Sequence, residues 1–149
     1  IGLMLIGGSP GSTAGGMKTT TAAVLVACAV AVFRRRENGR FFGRRIADDT
    51  VKNAITVFLM YISLFLLGGM IISRVENLPI LTCLFETASA IGTVGLTLGI
   101  TPGLHLISKL ILISLMFLGR IGGLTLIFAT LSANKNTLSK LPLEKITVG

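Results

Sequence analysis

The chain has 149 residues, 52% of them hydrophobic and only 13% charged, with a net charge of +8 at pH 7. A soluble domain carries about 25% charged residues, so the composition excludes an ordinary water-soluble globule. The positive charge does not read as a nucleic-acid surface either: Arg34, Arg35, Arg36, Arg40, Arg44 and Arg45 lie between two apolar segments, with only Phe41 and Phe42 interleaved. The positive-inside bias of membrane proteins makes that stretch a cytoplasmic loop.

The first predicted block, residues 1–33, is apolar and carries one charge, Lys18. Ile1 is followed at once by an apolar run with no basic leader, so the chain is expected to begin inside a membrane helix. The run is broken by Gly7-Gly8-Ser9-Pro10-Gly11-Ser12-Thr13-Ala14-Gly15-Gly16. Five glycines and a proline in ten positions do not continue as a regular helix. Ser12, Thr13 and Thr19 to Thr21 offer hydroxyls to the backbone groups freed there. The basic loop fills residues 34–50.

A complete second unit is predicted over residues 51–134, followed by a cytoplasmic tail at 135–149. It opens with an uninterrupted helix from about Val51 to Ser73. Asn53 to Ser73 contains no charged residue, about 21 positions against the roughly 20 that cross a bilayer core. Pro79 then starts a short apolar piece, Ile80 to Ile91, too short to span and suited to a re-entrant helix. The glycine-punctuated stretch Gly92-Thr93-Val94-Gly95-Leu96-Thr97-Leu98-Gly99 is expected to be non-helical. After Thr101-Pro102-Gly103, a long helix is predicted from about Leu104 to Asn134. The topology closes with Lys135, Lys140 and Lys145 on the cytoplasmic side, like the basic loop. Leu3-Met4-Leu5-Ile6-Gly7-Gly8 also echoes Leu115-Met116-Phe117-Leu118-Gly119-Arg120, a hint of internal repetition. Cys28 and Cys83 lie in apolar segments without metal or redox spacing and read as small buried hydrophobes.

Non-helical backbone at membrane depth is tolerated where it is buried in protein or lines a wet path. The carbonyls of Thr93-Val94-Gly95-Leu96-Thr97 can therefore replace an ion's hydration shell, those of Thr93, Val94 and Gly95 coordinating a cation. Gly95 allows the dihedrals that turn successive carbonyls to one axis, and the negative end of the preceding half-helix favours a cation there. Arg120 lies about 16 residues, roughly 24 Å, into its predicted helix at ~1.5 Å per residue, where a charge is a functional candidate. It is expected to face the pore beside the Gly7–Gly16 loop. Lys18 either reaches the cytoplasmic interface or bonds loop carbonyls. Glu86, midway along the half-helix, reads as a structural residue, pairing with a basic group from elsewhere in a longer protein. His105 is expected at the outer interface. Gly11 to Thr19 nearly matches a phosphate-binding loop, but Met17 separates Gly16 from Lys18, which must follow the glycine directly. No nucleophile–base pair or metal-ligand cluster appears, so no enzyme and no cofactor are expected.

Phe85 to Thr97 resembles the pore helix and filter of the Ktr/Trk/HKT superfamily of potassium transporters. Gly7 to Lys18 is similar to the glycine-rich intramembrane loop of the third repeat in its Ktr branch, and Met116 to Arg120 to the fourth inner helix with its family arginine. Leu96 and Thr97 depart from the TVGYG of tetrameric potassium channels. The resemblance implies an all-α membrane protein: the broken second helix of a third pore repeat, then a fourth repeat of helix, pore half-helix, filter loop and helix. It implies that the Gly7–Gly16 loop gates the pore and that K+ is the transported ion, with Na+ dependence or selectivity left open. It further implies a multi-pass protein of the plasma membrane with a cytoplasmic C-terminus. The partners it implies are the remaining pore repeats, a second copy in a homodimer, a cytosolic nucleotide-binding ring of the KtrA/TrkA type, and the bilayer, with no nucleic acid. Two other readings of the residues stay open. One is a secondary transporter whose broken helices hold a solute at the midplane, the other a non-conducting assembly subunit.

Overall fold

The structure, a computed structural model, describes residues 1–34, 40, 41 and 44–122. The described chain is helical: α1 (Gly2–Leu5), α2 (Thr19–Phe33), α3 (Asp48–Glu76), α4 (Ile80–Ile91), a 3₁₀ turn (Thr101–Gly103) and α5 (Leu106–Ile121). The exceptions are a two-residue antiparallel ladder in the basic loop, Arg40–Phe41 against Arg44–Arg45, and an isolated parallel bridge between Ile6 and Met17. The remainder of the basic loop, the predicted helix beyond Gly122 and the tail with Lys135, Lys140 and Lys145 lie outside the described residues.

The α3 helix is longer at both ends than its uncharged run suggests. Asp48 and Asp49 sit in its first turn and Arg74 in its last, each on the side the helix dipole favours. Its end is set by Asn77 in the left-handed conformation (φ 53°) and by Pro79 two residues on. At ~1.5 Å per residue its 29 residues reach about 43 Å. Among the described residues it is the one helix long and apolar enough to cross a membrane.

The bounds of α4, Ile80–Ile91, are those the sequence predicts. Its second half is sealed: Cys83 and every residue from Glu86 to Ile91 are buried. It packs on both α3 and α5, α3 also packs on α2 and α5, and α1 lies against α4. Tyr61, Phe65 and Ile72 of α3, Cys83 and Ile91 of α4, and Leu112 and Leu115 of α5 form the core. Cys28, by contrast, is only half-buried on α2. Large apolar side chains such as Leu59, Leu67, Met70, Ile113 and Phe117 face outward, which suits a surrounding of lipid and protein better than water.

The predicted Leu104–Asn134 helix needs correction. It begins at Leu106 with His105 as its N-cap and stops at Ile121. Gly122 has φ 87° and ψ 135°, a conformation that ends an α-helix and that glycine adopts without steric cost. The break at Gly122 is one that an apolar count passes over. Glu76, the last residue of α3, ties α5 down at its start: it accepts the His105 N–H at 2.8 Å and the hydroxyl hydrogen bond of buried Ser108.

Close backbone approach depends on small residues. A β-carbon at Gly119 would collide with the carbonyl oxygen of Ile91, backbone against backbone, whereas one at Gly69 would meet side-chain atoms, the end of Leu84 first and the Thr87 hydroxyl less closely. Overpacking costs about 1–3 kcal/mol, and a flexible side chain relieves more of it than a carbonyl can. Gly119→Ala is therefore expected to lower the melting temperature of the full-length parent in detergent clearly more than Gly69→Ala, with Gly103→Ala, which meets nothing within 4 Å, as the neutral reference. Equal melting of all three would show that α4 and α5 are not in this contact.

Candidate functional site

The site is built around the end of α4. Gly92 caps the helix, the Thr93 N–H donates to the Ala90 carbonyl at 3.0 Å, and the Val94 N–H donates to the Ser89 carbonyl at 2.9 Å. This pair of bonds, with a left-handed residue just after the cap, is a Schellman closure, and it satisfies carbonyls that a buried helix end would otherwise leave bare. The left-handed residue is Thr93, φ 50°. A β-branched residue in that region is an outlier; glycine usually fills the position.

Thr93 carries something glycine lacks. Its Oγ1 accepts the Gly15 N–H at 2.9 Å, across 78 residues of sequence. The next residue, Gly16, donates its N–H to the Gly119 carbonyl at 3.2 Å. That carbonyl lies in the last turn of α5, where no intrahelical donor remains, and it also accepts from the Tyr61 hydroxyl at 3.4 Å. The glycine-rich loop is thereby fastened at its base to both α4 and α5.

The loop has two parts. Gly15, Gly16 and Met17 are buried, while Ser9 to Ala14 are exposed. Gly7 donates to the Met17 carbonyl at 2.6 Å and Met17 to Leu5 at 3.1 Å, so entry and exit lie side by side. The Thr19 N–H closes onto the Gly8 carbonyl at 3.2 Å. Ser12 and Ser9 form a turn at the tip around Pro10 and Gly11. Of the two fates open to Lys18, the structure shows the second: its Nζ donates to the Ala14 carbonyl at 2.8 Å and to Ser12 at 3.4 Å. A phosphate cradle would aim loop N–H groups and the lysine at an anion. Here the lysine is engaged with the loop's own carbonyls, and the Gly15 and Gly16 amides are engaged with Thr93 and Gly119. Of the hydroxyls expected to serve freed backbone groups, that of Ser12 takes the Ala14 N–H at 3.4 Å, the one such bond among the described residues.

Beyond the closure, the chain from Val94 to Gly99 is exposed and irregular, with positive φ at Gly95 (81°) and Gly99 (89°). Among the described residues the carbonyl oxygens of Thr93, Val94, Gly95, Leu96 and Thr97 accept no hydrogen bond. A β-carbon at Gly95 would meet nothing within 4 Å, so its glycine answers to backbone conformation rather than crowding. Arg120 is exposed and lines a groove with Ser89, Thr93, Gly95, Met116 and Phe117. The structure thus brings Arg120, the loop base and the start of the 93–97 segment to one place. Leu96 and Thr97 lie farther along the loop, outside that groove.

Two residues gain roles that the sequence did not assign. Glu86, 4% exposed, takes hydrogen bonds from Thr97, Leu98 and Thr101 of its own unit, where the sequence reading looked for a basic partner from elsewhere. An acid inside an otherwise uncharged half-helix, followed by Thr97 and Thr101 in the next loop, is the sequence signal that could have pointed there. Thr93's bond to Gly15 has no signal in the sequence, because it joins two segments far apart in the chain.

The pattern of one protein family, described as a cation transport protein (TrkH), matches residues 1–138. The chain is 44% identical, over 99% of its length, to the potassium/sodium uptake protein NtpJ of Enterococcus hirae. It is 40% identical over 85% of its length to the Ktr system potassium uptake protein B of Bacillus subtilis, and 33% identical over 99% to protein D of that system. It covers 34%, 28% and 33% of those proteins, about a third of each. A match across nearly the whole chain, on a helical framework with a membrane-length α3, leads to one conclusion: this chain belongs to the TrkH family of membrane-bound cation transport proteins.

Proposed function

We propose that residues 93–97 form one wall of a potassium-conducting filter in a longer parent protein, with the Gly7–Gly16 loop as its gate. One observation carries the reading: five consecutive carbonyls without hydrogen-bond partners among the described residues follow directly on the C-terminal end of a buried half-helix. Unpaired backbone oxygens at such a place suit a dehydrated cation, and the helix end adds negative potential. The carbonyls of Thr93, Val94 and Gly95 are the proposed ligands of the ion. The names of the relatives support potassium, and one of them also names sodium.

In this reading residues 1–33 close a third pore repeat, residues 34–50 are a cytoplasmic loop, a fourth repeat starts at 51, and residues 135–149 are a cytoplasmic tail. One repeat is about a quarter of a pore, so conduction needs the rest of the parent chain. The ion is the substrate and no cofactor is invoked. Arg120 stands as a positive barrier beside the loop base, and Lys18 stiffens the loop tip. A multi-pass plasma-membrane subunit, acting as a homodimer under a cytosolic nucleotide-binding ring, completes the proposal by resemblance.

Uptake of a potassium tracer into potassium-starved cells expressing the full-length parent tests filter and gate together. Gly95→Ser places a side chain at φ 81° and is expected to lower uptake or shift ion preference. Deleting Gly11–Gly16 is expected to raise flux, and Arg120→Ala to change flux or gating. If Gly95→Ser matches wild type, residues 93–97 are not the filter, and a solute site at the midplane becomes the better reading. The loop's anchorage has its own readout in amide exchange. Thr93→Val strands the Gly15 N–H, and losing a hydrogen bond of about 1 kcal/mol should speed exchange at residues 15–17 roughly fivefold, while Thr93→Ser keeps protection. Unchanged exchange in Thr93→Val would show that this bond does not hold the loop.

A further inference from the structure

The 93–97 segment is held at two points, and both belong to α4. At its start the Schellman closure fixes Thr93 and Val94 to Ser89 and Ala90. At its far end the carboxylate of Glu86 takes three bonds: Oε1 accepts the Thr97 hydroxyl at 2.6 Å and the Leu98 N–H at 2.9 Å, and Oε2 accepts the Thr101 hydroxyl at 2.9 Å. The two hydroxyls are themselves 2.9 Å apart, and Thr97 Oγ1 also accepts the Gly99 N–H at 3.0 Å. Two hydroxyl protons thus serve three contacts, a shared network centred on one buried acid.

The geometry has a consequence for ion choice. Without Glu86, the exposed stretch from Gly95 to Gly99, between two positive-φ glycines, would keep only its local bonds among Thr97, Gly99 and Thr101 and lose its tie to α4. With it, both ends of the carbonyl row are pinned to one rigid helix, on which Ile91 lies five steps beyond Glu86, about 7.5 Å at ~1.5 Å each. Selection among cations of one charge rests on where a small number of carbonyl oxygens can stand and how far they can move.

Resting on the filter reading above, we infer that Glu86 is a specificity-determining positioning residue. Its buried carboxylate fixes Thr97, Leu98 and Thr101, and through them the placing of the 93–97 carbonyls that distinguishes K+ from Na+.

The test measures potassium-tracer uptake by the full-length parent in proteoliposomes, with increasing external Na+ as competitor, at matched amounts of monodisperse protein. Glu86→Ala removes all three bonds and is expected to lower the K+ over Na+ preference about tenfold, as loss of hydrogen bonds to a charged group would. Glu86→Gln keeps an oxygen for Thr97 and Leu98 and is expected to recover most of that loss. Thr101→Val removes the bond to Oε2 and the contact with the Thr97 hydroxyl but leaves Thr97 and Leu98 on Oε1, and should give an intermediate loss, which Thr101→Ser restores. Where Glu86→Ala yields no folded protein, the Thr101 pair decides the matter alone. Wild-type preference in Glu86→Ala or Thr101→Val, with Gly95→Ser altered in the same assay, overturns the inference and leaves the filter standing. Equal impairment of the Ala and Gln variants also overturns it, because charge rather than position would then be responsible. If Gly95→Ser is unchanged as well, the filter reading itself fails and the inference with it.

Discussion

The described structure turns on the backbone of Gly119. Having no β-carbon, this residue lets α5 come down directly on the Ile91 carbonyl at the end of α4. Its own carbonyl, left over because α5 stops at Ile121, takes the Gly16 amide from the loop and the Tyr61 hydroxyl from α3. The loop, α3, α4 and α5 therefore meet at one residue. The arrangement follows from a general requirement: buried backbone groups without a helical partner need another one, and a helix end inside a membrane protein cannot turn to solvent.

The same requirement explains how the loop and the half-helix divide their tasks. Near the centre of the protein the freed amides of Gly15 and Gly16 and the freed carbonyls of Ser89 and Ala90 each have a specified partner. Away from it, the loop tip from Ser9 to Ala14 and the stretch from Val94 to Gly99 are exposed. Local stability within a protein is uneven, and moving parts come from its weakly held end. Here the weakly held part is the loop tip, whose base at Gly15 and Gly16 is bonded to Thr93 and Gly119, whereas the exposed 94–99 stretch is tied down by Ser89 and Glu86.

Much of this was legible in the sequence, for physical reasons. The uncharged run from Asn53 to Ser73, Pro79, and the glycines around Thr93 mark α3, the start of α4 and the irregular stretch, because charge, proline and glycine act locally. The echo of Leu3–Gly8 in Leu115–Arg120 was also informative, since it aligns Gly7 with Gly119. Both are glycines where a β-carbon would strike a carbonyl oxygen, Gly15's in one case and Ile91's in the other. What stayed hidden was tertiary. The stop of α5 at Gly122 depends on a backbone conformation that an apolar pattern does not encode. The partners of Glu86 and of Thr93 are 11 to 15 and 78 residues away, and no periodicity joins them. Lys18 was undecided because both of its fates satisfy the same charge.

Thr93 sets two demands on one position against each other. The left-handed conformation favours glycine by roughly 1–2 kcal/mol over a residue with a β-carbon, while the bond to Gly15 requires a hydroxyl. Selection for folding alone would drift toward glycine there and make the half-helix end more comfortable. It would also cut the loop loose. The threonine at that place trades backbone comfort for the bond to Gly15, and a variant stabilised by glycine there would lose the tie between the half-helix end and the loop.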